Sequence, residues 1–287
     1  MASILPQSRV RPPTLSPLAR LYQTLQALLF SGRSIRRFVA LVLFFGIWQI
    51  LCMIGFKFFI NFQLIPSPWE VLNATVEFFF SDPWVHIRSS VVRVLVGFAV
   101  ASVLGVILGI VIGWFQIAED LLMPSLELLR PIPAVAWIPL AILMFPNAET
   151  GMIYITFIGA FFPILISSIQ AVENILHDIV LIRVGQCLGA SQWHVFKDIV
   201  IPGALPGIAG GLTIGMGNAW FCLVTAEILA GRYGVGYVTW ESYVTSNYPP
   251  IVMGMLLIGL MGAFSSWAVG RGTAALMPWR VIKKQDA

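Results

Sequence analysis

The side chains of this chain best suited to making and breaking bonds sit in no pattern that such chemistry uses. His86, His177 and His194 belong to no HExxH motif and no GxSxG supplies a serine nucleophile. The three histidines fall in loops or near the ends of apolar stretches. Cys52, Cys187 and Cys222 are odd in number and form no CxxC pair, which argues against a disulfide framework and against a zinc site. Lys57, Lys197, Lys283 and Lys284 all lack the glycine frame of a phosphate-binding GxxxxGK[ST] loop, so the chain cannot hold ATP in that way. What remains is charge and hydrogen-bonding capacity set inside apolar sequence: Arg93, Arg130, Asn218 and Thr225. Polar groups at membrane depth are costly, and they occur where a partner, a cavity or an ion pathway uses them. The chemistry on offer is noncovalent. It supplies fixed charge and hydrogen-bond donors where water is excluded.

The elements that must position these residues are membrane spans. Apolar residues make up 58% of the 287 and charged residues 10%, against about 25% charged in soluble domains. A hydrocarbon core of about 30 Å takes around 20 apolar residues per helical crossing. Six stretches qualify: 38–56, 91–115, 121–145, 151–172, 208–230 and 251–276. The expected class is all-α and polytopic. Residues 1–37 form an N-terminal segment, 38–276 the transmembrane domain and 277–287 a tail. In the first segment, Ser16-Pro17 resembles a helix start, and Leu18, Leu21, Leu25, Leu28 and Leu29 share a face opposite Arg20, Gln23 and Thr24. That pattern suits an interfacial helix on the inner leaflet, and equally a plain linker helix.

Orientation follows from the short loops. Arg9, Arg11, Arg20, Arg33, Arg36 and Arg37 precede the first span, and Arg280, Lys283 and Lys284 follow the last. The loop 61–83 carries Glu70, Glu77 and Asp82 without lysine or arginine. Both termini are therefore expected in the cytoplasm. The same flanks account for the net charge of +4, and no nucleic-acid partner is expected. The turn 116–120 carries Glu119 and Asp120 on the cytoplasmic side, where acidic residues weigh little.

Within the spans, Gly97, Ala101, Gly105, Gly109 and Gly113 recur every fourth residue, a stripe that lets another helix approach closely. In the fifth span Gly211, Gly215, Asn218, Cys222 and Thr225 form a similar stripe that turns polar. Packing accounts for its glycines, while Asn218 and Thr225 are compatible with packing or with a water-filled pathway. The third span holds Pro131, Pro133 and Pro139, each of which removes a backbone donor. Arg130 stands roughly 12 Å into that span and either snorkels to the surface or faces a translocation route. Arg93 poses the same choice. Glu227, near the outer end of the fifth span, is expected to be paired or helix-fixing.

Between the fourth and fifth spans lies a polar insert, residues 173–206. Gly189 suits a helix C-cap and Ser191 the N-cap of a second helix, which Ile201-Pro202 is expected to end, with Pro206-Gly207 opening the next span. A rigid, capped hairpin is well suited to docking into a partner's cleft.

Gly189, nine residues, then Ile199-Val200-Ile201-Pro202 resembles the EAA loop of ABC-importer permeases, EAA-x3-G-x9-I-x-L-P. "LGASQWHVFKDIVIPGALPG", "RPIPAVAWIPL", "GAFFPIL" and "AWFCLVTAEILAG" are similar to the branch that imports sulfonates, taurine, nitrate and bicarbonate, most of all to cyanobacterial-type nitrate or bicarbonate permeases. The similarity runs from about residue 64 to 276. It implies the type I ABC-importer permease fold in a bacterial inner membrane, with no cofactor in this chain and ATP bound by partner subunits. The implied partners are a second copy of the permease, two ATP-binding cassette subunits, an extracytoplasmic solute-binding protein and membrane lipid. It also implies that Arg183, Gln186, Leu188, Gly189, Ala190 and Ser191 form the coupling surface. Arg183-Val184-Gly185 departs from Glu-Ala-Ala and reverses the charge, which puts the polar contact in question but not the docking. The resemblance places bicarbonate first as substrate and nitrate second. A sulfonate or taurine permease stands as the alternative, and an energy-independent channel or carrier after that.

Overall fold

A computed structural model describes residues 33–55 and 64–279, which divide into a unit up to Trp69 and a unit from Glu70 onward. The interfacial helix expected within 16–29 and the basic tail after residue 279 lie outside the described residues. In the first unit, α1 (Arg33–Ile54) contains the apolar window expected for the first span. The boundary falls in the first turn of α2 (Pro68–Phe80), and the second unit continues with α3 (Pro83–Trp114), α4 (Gln116–Leu129), a 3-10 turn (Ala134–Trp137), α5 (Ile138–Met144), α6 (Ala148–His177), α7 (Ile179–Cys187), α8 (Gln192–Ala230), α9 (Val235–Val244) and α10 (Pro249–Ala275). Among the described residues five helices are long and apolar enough to cross a bilayer, or six if α4 with α5 counts as one broken span. All-α polytopic architecture is what composition required.

The core is built around α6, which lies between α3 and α8. Glycine makes both contacts possible. On α3, a Cβ at Gly97 would come within 2.9 Å of Ile153 O, at Gly109 within 2.9 Å of Leu165 O, and at Gly113 within 2.9 Å of the Val172 side chain. On α8, a Cβ at Gly207 would come within 2.6 Å of Ala171. One at Gly215 would stand 2.6 Å from Ile164. The two four-residue stripes therefore face one helix, with Ala160, Ile164, Leu165 and Val172 fully buried between them. The stripe 97–113 packs as its spacing predicts.

Three features depart from expectation. The third span is not one helix: α4 ends at Leu129, and the 3-10 turn and α5 continue at 85° to it. Pro131 and Pro133 explain the break, because two donors are lost within one turn and the chain leaves the helix with Pro133 at ψ 136°. The turn 116–120 is instead the first turn of α4, with Phe115 extended before it. Glu119 and Asp120 fit there because carboxylates are stabilised at a helix N-terminus. Nor does Pro202 end a helix. α8 runs through Pro202 and Pro206, and residues Val195–Val200 form a π turn in which Ile201 N–H donates to Phe196 O five residues back. The wider turn accommodates a ring that would clash with the preceding carbonyl in regular α geometry.

Two short helices stand between the expected spans, α2 within the stretch 61–83 read as a loop and α9 between the fifth and sixth spans. α2 buries Val71, Ala74 and Phe78 at helical spacing, and α9 docks its N-terminus through the charge cluster described below.

Candidate functional site: a charge lock, a cavity and a capped hairpin

At one end of the bundle three charged residues from three helices meet. Arg93 of α3 donates from Nε and Nη2 to both carboxylate oxygens of Glu149 on α6, at 2.7 and 2.5 Å. From Nη1 it donates to Glu227 Oε1 of α8 and to Tyr233 O, each at 2.7 Å. Glu227 also accepts from Ser90 Oγ at 2.7 Å and from Gly236 N at 2.9 Å, the latter within the first turn of α9. Val235 N completes the seat by donating to Ser90 Oγ at 3.0 Å. Arg93 and Glu227 are 2% and 0% exposed, so this is an ion pair inside the protein, where each charge depends on the other. Glu227 is paired and fixes a helix, as expected. Arg93 corrects the sequence reading. It neither snorkels nor faces a route, and four of its five donors are committed to the lock.

A cavity of about 590 Å³ opens between the bent α4–α5 segment, α6 and α8. Arg130 lines it beside Pro133, and Asn218 lines it from α8. These two predicted pathway residues share one space. Thr225 does not reach that cavity, and its hydroxyl donates to Phe221 O at 3.0 Å. Two further polar residues on the wall, Ser167 and Gln170 of α6, escaped the sequence reading. The signal was present: Gly159, Pro163, Ser167 and Gln170 recur at helical spacing and put a polar edge on an apolar helix. In a cysteine-free background, Asn218→Cys is expected to react with small water-soluble thiol reagents. Leu223→Cys, at a fully buried position, is expected to be protected, and equal labelling rates would remove Asn218 from the cavity wall.

At the opposite end of the bundle from the charge lock, α7 and the start of α8 form the hairpin. Asp178 Oδ1 accepts from Leu181 N to start α7. α7 ends with Ala190 N donating to Gly185 O at 3.0 Å and Gly189 N donating to Gln186 O at 2.9 Å, the paired bonds of a Schellman cap. That cap requires the left-handed conformation Gly189 adopts, φ 82°. Ser191 then caps α8 and hydrogen-bonds the His194 ring at 2.7 Å. Val195 and Val200 are buried against Ala171, Val172 and Ala204, and Phe196 packs on Trp114. The base is thus stapled to the bundle. The tip presents Arg183, Gln186, Leu188, Gly189 and Ser191 exposed, with Ala190 half-buried.

Apolar spanning helices, an open cavity with one arginine and a capped polar hairpin define a polytopic membrane transport subunit. Residues 101–271 match the family described as binding-protein-dependent transport system inner membrane component. The chain is 34% identical over 244 residues to the nitrate import permease protein NrtB of Synechocystis, covering 82% of this chain and 86% of that protein. It is 30% identical to NrtB of Leptolyngbya laminosa, covering 86% and 88%. With the taurine transport system permease protein TauC of Escherichia coli the identity is 29%, covering 75% and 80%. The chain belongs to the binding-protein-dependent ABC-importer permease family and has its type I permease fold. Membership sets aside the energy-independent channel or carrier.

Proposed function

We propose that this permease passes a small inorganic oxyanion, nitrate ahead of bicarbonate, through a pathway formed with a second copy of itself. The observation that carries the reading is the cavity: among the described residues Arg130 is the one ionised side chain on its wall, and none of them lines it with a carboxylate. Similarity to two nitrate import permeases supports nitrate first, reversing the order suggested by resemblance alone. In this reading the termini and the hairpin are cytoplasmic. An extracytoplasmic binding protein delivers the anion at the end that holds the Arg93 lock. Two ATP-binding cassette subunits dock on the hairpin tip, and ATP is bound there and not by this chain. Leu188, 83% exposed at the tip, supplies apolar contact that does not depend on the Glu replaced by Arg183. A sulfonate permease is the second reading, favoured by the similarity to TauC.

The test is ATP-driven uptake into proteoliposomes holding the full complex, with labelled nitrate, bicarbonate and taurine compared side by side. Uptake of taurine alone would select the second reading. Docking has its own test. Gly189→Val forces a β-branched residue into a left-handed conformation and costs about 1–2 kcal/mol at the turn. It is expected to lower recovery of the ATPases with the permease or to uncouple hydrolysis from uptake. Native recovery together with native uptake would show that the hairpin is not the coupling surface.

A further inference from the structure

We propose that Ser167, Gln170 and Asn218 join Arg130 in a holding station for the transported oxyanion, with Gln170 tuning the preference for negative charge. The inference rests on the anion reading above and assigns the residues that would carry it.

Four observations meet at this cavity. Its wall is otherwise apolar, made of residues such as Ile132, Phe162, Ile166 and Phe221, so the polar groups are confined to a few points. Those points come from three separate elements: Arg130 after α4, Ser167 and Gln170 from α6, and Asn218 from α8. Their donors are also uncommitted. Ser168, Thr213 and Thr225 donate their hydroxyl hydrogens to the carbonyl four residues back. The Ser167 hydroxyl, the Gln170 and Asn218 amides and the Arg130 guanidinium have no partner among the described residues. Finally, Glu149 and Glu227 are kept away from this space. The Arg93 lock holds both, leaving the cavity with a single sign of charge.

An anion leaving water needs replacement donors, and an arginine with neutral amide and hydroxyl donors around it supplies them without trapping the ion. The cavity is far larger than a trigonal oxyanion, so it holds an anion with part of its water. Such a station selects by charge and weakly by shape. Gln170 then becomes a sensitive position, because a glutamate of nearly the same size would place a carboxylate in the anion's path.

The experiment uses the full complex, with Cys52, Cys187 and Cys222 replaced by alanine and Asn218→Cys introduced as reporter. Its labelling by anionic sulfonatoethyl and cationic trimethylammonioethyl methanethiosulfonate is measured, each rate divided by that with a small free thiol. The anionic reagent is expected to be favoured by roughly tenfold, since a cleft lined by one sign of charge concentrates the opposite ion. Gln170→Glu should bring that preference to one or below. Millimolar nitrate should slow labelling by the anionic reagent. With Asn218 intact, Gln170→Glu should cut uptake of labelled nitrate by about tenfold or more, and Gln170→Leu and Ser167→Ala by smaller factors. Complex yield after purification is the folding control, and the labelling arm without a Gln170 change stands if those variants fail to assemble. Equal normalised rates for the two reagents overturn the station, as does native nitrate uptake by Gln170→Glu. If the charge preference holds while the complex takes up neither nitrate nor bicarbonate, the station stands and the inorganic-oxyanion reading fails. Nitrate uptake with no charge preference is the reverse case.

Discussion

Replacing Arg93 with methionine is expected to cost more stability than any other single change considered for this chain. Methionine keeps the apolar stem but leaves Glu227, at 0% exposure, without its counter-charge. Breaking a buried pair from one side costs about 3–5 kcal/mol, because the remaining charge is stranded. Ser90 and Gly236 still donate to Glu227, so part of the penalty is relieved and the lower half of that range applies. The midpoint of thermal unfolding of the detergent-purified chain should fall by on the order of 10 °C. Glu149→Gln is the contrast. The Glu149 side chain is 60% exposed, and a pair reaching solvent is worth about 1 kcal/mol or less. Arg93→Met combined with Glu227→Leu should lose less than the sum of the two single changes, since the double variant strands no charge. If Arg93→Met and Glu149→Gln lower the midpoint equally, the buried pair is not what fastens α3 to α8 and α9.

The lock explains why the polar residues sorted as they did. Arg93 and Arg130 look alike in sequence, each an arginine inside an apolar stretch. What separates them is long-range: the partners of Arg93 lie 56 and 134 residues away and come within reach only once α3, α6 and α8 have packed. Local sequence carries no trace of that. Apolar run length, small-residue spacing and capping residue types, by contrast, are local, and they disclosed the spanning stretches, the α3 glycine stripe and the Gly189 and Ser191 caps. Proline was read correctly as a disturbance but not always with the right outcome. Pro131 and Pro133 break the chain because two donors vanish within a turn. Pro202 and Pro206 are absorbed, the first by a π turn whose wider ring no propensity scale registers. α2 was missed because a short amphipathic helix between spans resembles a loop until a neighbour covers its apolar face. α9 was missed because it has no marked apolar face and is seated by contacts to Glu227 and to Ser90, the latter far away in sequence. Ser167 and Gln170 were missed because they edge a helix whose other faces are apolar, and nothing in their own segment says that α8 and the α4 break leave a space beside them.

The Arg130→Gln variant bears most directly on transport. Arg130 follows the last residue of α4, and its backbone N–H still donates to Leu126 O at 2.9 Å. The bend that positions it comes from Pro131 and Pro133, not from its side chain. Removing the guanidinium should therefore leave the bend intact and the complex assembled. The side chain forms no ion pair among the described residues, so its removal strands no buried partner. What changes is the field in the cavity. At an effective dielectric near 20, a unit charge about 4 Å from an anion contributes about 4 kcal/mol, and water in so open a cavity reduces that to about 1–2 kcal/mol. A factor of ten corresponds to about 1.4 kcal/mol, so glutamine, which keeps donors but no charge, should slow anion uptake by roughly tenfold. Lysine restores the charge as a point on a flexible stem without the planar fork and should recover part of the rate. The order arginine, lysine, glutamine would mark electrostatics as the cause. Arginine above equal lysine and glutamine would instead mark the bidentate geometry of the guanidinium. Native uptake by Arg130→Gln would make Arg130 a snorkelling anchor and leave the anion's counter-charge to the second copy or to the binding protein.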